Sequence, residues 1–279
     1  MNGSEDLKFR NLAKLIVPYD TRRKLRYHQN RLLALCYSIH DFCFRSNEEL
    51  QPIPPPLLRY RVHGHMGLIP YTRVGHQCAY DIQKIMAAAG RPVSSMRRVL
   101  DFGCGCGRTL KLLVKNNPAT NFSGTDIDSQ SIDWCRENFQ NIEFSVNHAV
   151  PPLPYSDNKF DFIYAISVFS HLSEESHIRW LGELSRVAEP RGYLLATFHG
   201  EKSQSVLSEQ ERNCVAKNGF FFKEEGKGKY KLDGLPDTYQ SAYISKDYIK
   251  KYWSKYFEIE NIINTGMNNH QNVVLLRKS

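Results

Sequence analysis

The stretch VLDFGCGCGRTL occupies residues 99–110. Its apolar start reads as a short buried strand and its end as the opening of a helix. Between them three glycines alternate with two cysteines, directly after Asp101. Two familiar uses of such a loop fail on spacing. A zinc site needs a second close pair of ligands, and Cys104 and Cys106 have neither that nor a histidine at ligand distance. A dinucleotide fingerprint runs G-x-G-x-x-G, and the position where the third glycine belongs is Arg108. What remains is D-x-G-x-G-x-G, with glycines at 103, 105 and 107. Glycine lets the backbone turn sharply and approach a ligand closely. Asp101 beside it accepts hydrogen bonds from an amine. Such a loop suits an amino-acid-like group better than a pyrophosphate. The thiols of Cys104 and Cys106 are read as packing groups whose backbone lies against the ligand.

A second acid follows at the spacing of a βαβ nucleoside site, about 20 residues on. It is Asp126, at the end of the strand NFSGTDID, where a carboxylate takes both ribose hydroxyls. Ile127 next to it offers an apolar face to a base, and Asp128 reads as the N-cap of the next helix.

Outward from these two loops the texture is regular. Strands are predicted at 97–102, 121–128, 142–147, 160–169 and 192–199, and helices at 108–116, 129–139 and 173–190, the last ended by Pro-Arg-Gly. Strands alternating with helices give a parallel sheet covered on both faces. A helix at 245–256 follows. The final strands, 257–263 and 272–278, are joined too closely for a parallel crossover, so they form an antiparallel hairpin. Residues 200–244 interrupt the alternation with a polar, glycine-rich insertion, read as a hairpin or lid. N-terminal to residue 96, helices are predicted at 21–45, with Leu25, Leu32, Leu35 and Ile39 at helical spacing, and at 74–90. The proline-rich segment 51–57 connects them.

The chain has 279 residues, a hydrophobic fraction of 41% and a net charge of +8. That is enough for one sizeable core. The basic residues are dispersed, which disfavours nucleic acid as the partner. Seven cysteines, an odd number without a CxxC pair, suit a reducing compartment. No apolar run approaches the ~20 residues of a membrane span. The expected protein is soluble and cytoplasmic.

VLDFGCGCGR resembles the first motif of the class I S-adenosylmethionine-dependent methyltransferases, and GTDID their ribose-binding strand end. PPLPYSDNKFDFIYAISVFSHL and WLGELSRVAEPRGYLLAT are similar to the stretches around that family's fourth and fifth strands. The resemblance covers residues 95–199 and 245–278. It implies an α/β fold, a doubly wound, mostly parallel, Rossmann-like seven-stranded sheet with an antiparallel terminal hairpin. A helical N-terminal cap or substrate lid at 1–95 precedes the cofactor-binding domain at 96–279. It implies S-adenosyl-L-methionine as cofactor and S-adenosyl-L-homocysteine as product. The expected cofactor contacts are Asp101, Gly103, Cys104, Gly105, Asp126 and Ile127; Asn147, His148 and Ala149, where the family often has an acid; and Ser167 and Val168 at the carboxyl edge of the fourth strand. His171 and His199 are the candidate general bases. No metal is expected. The acceptor is expected to be a small molecule or natural product, including a sugar or peptide, methylated on O, N or C. An RNA or protein methyltransferase and a non-catalytic, cofactor-binding partner of a complex are the alternatives.

Overall fold

The computed structural model describes residues 19–44, 46–47, 50–223 and 240–279. Its centre is a seven-stranded sheet in the order β3-β2-β1-β4-β5-β9-β8. The strands are β1 (Arg98–Phe102), β2 (Asn121–Asp126), β3 (Glu143–Val146), β4 (Phe160–Ala165), β5 (Ala188–Phe198), β8 (Glu258–Met267) and β9 (Gln271–Arg277). Pairings β1–β2, β2–β3, β1–β4 and β4–β5 are parallel, and β9 is antiparallel to both β5 and β8. The doubly wound sheet and its terminal hairpin are those expected from the sequence.

The alternation of side chains along the strands divides the core in two. Leu100, Ile163, Leu194, Ala196 and Val274 point to one face, where they meet Trp180, Leu181 and Leu184 of α6 (Glu174–Val187) and Ile249 of α8 (Lys246–Tyr252). Val99, Phe162, Tyr164, Leu195 and Val273 point to the other, under α3 (Leu68–Ala88), α4 (Leu110–Asn116) and α5 (Ser129–Asn138). Ile82 and Met86 of α3 are fully buried there, so α3 is one of the sheet's own covering helices. Of the described N-terminal helices, α1 (Tyr19–Phe42) and α2 (Pro56–His63) lie beyond that layer.

Several element ends differ from the pattern reading. α6 stops at Val187, ahead of Pro-Arg-Gly. The chain enters β5 at once, where Ala188 pairs with Phe160, and absorbs the proline in a register shift before Tyr193 pairs with Phe162. Arg191 takes a left-handed conformation there, φ 64°. β4 ends at Ala165, and Phe169–His171 form a 3-10 turn. β8 extends to Met267, so the hairpin turns through Asn268 and Asn269, both left-handed. In the insertion, α7 (Glu209–Asn218) leads to β6 (Phe220–Lys223), which pairs antiparallel with β7 (Ser241–Ile244). The glycine-rich part of that insertion, 224–239, lies outside the described residues, as do the side chains of the basic stretch 22–24. The apolar stripe of α1 does not face the core: Leu25, Leu32, Leu35 and Ile39 are all exposed.

Candidate functional site

The carboxyl ends of β1, β2, β3 and β4 open onto one cavity of about 720 Å³, within the range of small-molecule sites. Its wall contains Asp101, Gly103, Cys104, Gly105, Asp126, Ile127, Asn147, His148, Ala149, Ser167, Val168 and His171. His199 is outside that wall. It follows the last residue of β5 and bridges to Tyr243, with its ring centroid 5.9 Å from that of His171. Tyr243 itself is buried against Leu207 and Val215 and serves packing.

Asp101 is 4% exposed and accepts a hydrogen bond from the Tyr164 hydroxyl at 2.9 Å. Burial pushes its carboxyl up to about 8, against the stabilising effect of the tyrosine bond. Asp126 ties the loop together. One oxygen accepts from the Gly105 N–H at 2.7 Å and the other from the Asp128 N–H at 2.9 Å. Burial raises this carboxyl too. Each oxygen of a carboxylate accepts more than one hydrogen bond, so both acids retain acceptor capacity toward the cavity.

The loop glycines are required by conformation and by space. Gly103 has φ 83°, and a Cβ there would lie 2.3 Å from Val168 Cγ2. Gly105 has φ 52°, and its Cβ would lie 2.6 Å from Val62 Cγ2. Cys104 and Cys106 are buried free thiols, both pushed up by burial and so unreactive. Ser167 is left-handed, φ 58°, held by its N–H to Thr197 Oγ1 at 2.7 Å and its hydroxyl to Gln271 at 3.0 Å.

Asn147 is oriented from behind. Its Oδ1 accepts from Thr125 at 3.0 Å and its Nδ2 donates to the His148 carbonyl at 2.9 Å. His171 Nδ1–H donates to the Gln240 carbonyl at 2.7 Å, tying the turn after β4 to the insertion. Asp128 caps α5 and also meets Arg61 of α2, whose Nη1 lies 2.9 Å from each of its oxygens. Arg61, Val62, Tyr164, Trp180, Phe222 and Gln240 had no place in the sequence reading, yet all but Tyr164 line the cavity. Only Tyr164 carried a local signal: a polar-tipped ring in a fully buried strand needs a hydrogen-bond partner. His63 lies 3.2 Å from Arg108 and is lowered to about 4 by burial and by that arginine, while His65 accepts from the Gly67 N–H. Among the described residues no cluster suited to a metal ion occurs, and no helix is long and apolar enough to cross a membrane.

Residues 99–192 match the methyltransferase domain family. A fatty-acid O-methyltransferase of Mycolicibacterium smegmatis is 26% identical over 193 residues, covering 66% of this chain and 69% of that protein. A tRNA N(3)-cytidine methyltransferase of Danio rerio is 27% identical over 164 residues, covering 55% of this chain and 46% of that one. The chain therefore spans about half the length of the tRNA relative. The solved structure of an S-adenosylmethionine-dependent methyltransferase from Mesorhizobium loti superposes with a TM-score of 0.53 at 12% identity, over 70% of this chain and 96% of that one. The domain match places a methyltransferase domain at residues 99–192, inside a doubly wound sheet. The cofactor that the sequence resemblance implies is S-adenosylmethionine.

The residues present fit that cofactor. Two carboxylates line one cavity, the deeper of them raised by desolvation, and they supply the acceptors that an ammonium group and a ribose diol require. Ile127 and Val150 add apolar surface on the same side.

Proposed function

We propose that the protein transfers a methyl group from S-adenosylmethionine to a small, largely apolar acceptor. The observation that carries this reading is the composition of the cavity beyond the glycine loop. There Val168, Leu172, Trp180 and Phe222 form an apolar wall, with Ser173, Ser176 and His171 as its polar points. The fatty-acid relative is consistent with an acceptor of this kind. Of the two arginines of the wall, Arg61 is already paired with Asp128, which leaves it poorly placed to neutralise a phosphate, the main source of affinity for nucleic acid.

In this proposal Asp101 accepts from the amine of the cofactor and Asp126 from its ribose hydroxyls. Asn147, His148 and Ala149 border the adenine, and the backbone at Ser167 and Val168 borders the methionine arm. Bound S-adenosylmethionine supplies an electrophilic methyl on a positively charged sulfur, so the leaving group needs no acid. The protein's tasks are to align the acceptor and to take its proton. His171 is placed for the second task, with its Nδ1–H held by a carbonyl so that Nε2 carries the basic lone pair. His199, behind it, serves as a neighbour of that ring. α2 acts as part of a lid, since its Arg61 and Val62 line the cavity and Val62 packs against Gly105 of the glycine loop.

The test is transfer of a labelled methyl group to a panel of fatty and aromatic acids and phenols, with total tRNA in parallel. The reading expects label in a small apolar acceptor. Label in tRNA alone would replace it with the nucleic-acid reading, which the +8 charge and the tRNA relative favour.

A further inference from the structure

α1 turns its apolar side away from the rest of the molecule. Leu25, Leu32, Leu35, Ile39 and Phe42 are 57%, 68%, 63%, 69% and 64% exposed. The residues that dock α1 are on the opposite side. Ala34 and Asp41 are buried, and Asp41 binds the fully buried guanidinium of Arg59 in α2 at 2.7 Å. Soluble proteins rarely leave a contiguous patch of this kind without a partner.

The spacing of the stripe identifies the partner's shape. Leu25, Leu32 and Ile39 lie seven residues apart, and His28, Leu35 and Phe42 repeat the interval three residues later. This is a 3.5-residue spacing over 18 residues, with five of its six positions apolar. A straight helix drifts about 20° per heptad against it, about 50° over this length, and two helices wrapped around each other remove that drift.

The order of residues along the seam is self-complementary. Set antiparallel about a two-fold axis between residues 33 and 34, Leu25 of one copy is level with Phe42 of the other, His28 with Ile39, and Leu32 with Leu35. Each first position of the heptad meets a fourth position, as an isologous contact requires. The charges select the same direction. Arg26 lies in the first half of α1, and parallel pairing would set it against its own copy, whereas antiparallel pairing separates the two by about 22 Å along the axis.

We propose that α1 pairs antiparallel with α1 of a second copy of this chain, making the protein a homodimer through a short coiled coil. This rests on α1 alone and is independent of the proposed acceptor.

Sedimentation equilibrium of the full chain between about 5 and 100 µM tests it. The expected species has twice the 32.3 kDa mass of the chain. Leu32→Glu with Leu35→Glu, at the two-fold axis, should give monomer with an unchanged melting temperature, because both side chains are exposed within one copy. Leu33→Glu, equally accessible but off the seam, should remain dimeric. Spin labels at Thr21→Cys, with Cys36, Cys43 and Cys214 replaced by serine, should lie a helix length apart in the dimer. A monomeric wild type, a dimer that survives the double substitution, or equal loss with Leu33→Glu would each overturn the pairing. Labels in contact would overturn its direction. A monomer that sediments with phosphatidylserine vesicles would assign the stripe to lipid instead.

Discussion

The two ends of the cavity are built from different kinds of sequence. At the cofactor end, Asp101, Gly103, Gly105 and Asp126 come from the tips of two adjacent strands, and the Asp126 carboxylate binds the Gly105 N–H directly. At the proposed acceptor end, His171, Phe222 and Gln240 come from the turn after β4 and both sides of the insertion. The first end is held by backbone hydrogen bonds and glycine conformations that tolerate almost no change. The second is held by side-chain packing between segments that meet only in the folded chain. A fold that fixes one end so tightly can vary the other, which is why the class of reaction is legible here and the acceptor is a proposal.

That contrast can be broken by substitution. His171→Ala should lower turnover about 100-fold while leaving S-adenosylmethionine affinity within a few-fold, the signature of a lost base. Parallel loss of cofactor affinity would make His171 part of the rigid end instead. Gly103→Ala should destabilise the chain by about 2–3 kcal/mol, read as a lower midpoint in denaturant, because it adds a Cβ at φ 83° against Val168. Val168→Ala in the same chain should recover part of that loss, and strict additivity would show that the two do not touch.

Asp101 gives a smaller effect with a pH signature. Its folded value near 8 lies above the ordinary carboxylate range, so between about pH 4 and 8 the unfolded chain releases a proton that the folded chain keeps. Stability from this group therefore falls as pH rises through that window. Asp101→Asn, which still accepts from Tyr164, should raise Tm at pH 8 and leave it unchanged at pH 4, while weakening cofactor binding. An equal shift at both pH values would remove the titration from the account. Phe222→Ala should change cofactor affinity less than twofold and act only on the KM of the acceptor. A larger effect on the cofactor would mean that the two ends are not separable.

The legible half of the molecule was the half with local chemistry. The glycine loop, the acid about 20 residues later and the closing hairpin each carry their meaning within a dozen residues, and the sheet followed from them. What was missed depends on long-range contact. Arg61 meets Asp128 and Gln130 across the fold, and nothing near residue 61 announces it. Tyr164 reaches Asp101 because β1 and β4 pair in a register that sets these two side by side. His199 was placed at the ligand edge by its strand position, and it lies outside the cavity wall with its ring 5.9 Å from that of His171. α6 ended earlier than its Pro-Arg-Gly signal because the strand pairing of Ala188 outweighed local propensity. The stripe of α1 was seen as helical spacing, but spacing alone did not tell that it would face away from the core.

The central claim is that the D-x-G-x-G-x-G loop and Asp126 form an S-adenosylmethionine site. Calorimetric titration of the wild type and of Asp126→Ala with S-adenosylmethionine and S-adenosylhomocysteine tests it most directly. The account predicts that the wild type binds both in the micromolar range, and that the substitution weakens both at least tenfold, about 1.4 kcal/mol or more. Equal affinity in the two proteins, or no binding to the wild type, would contradict it.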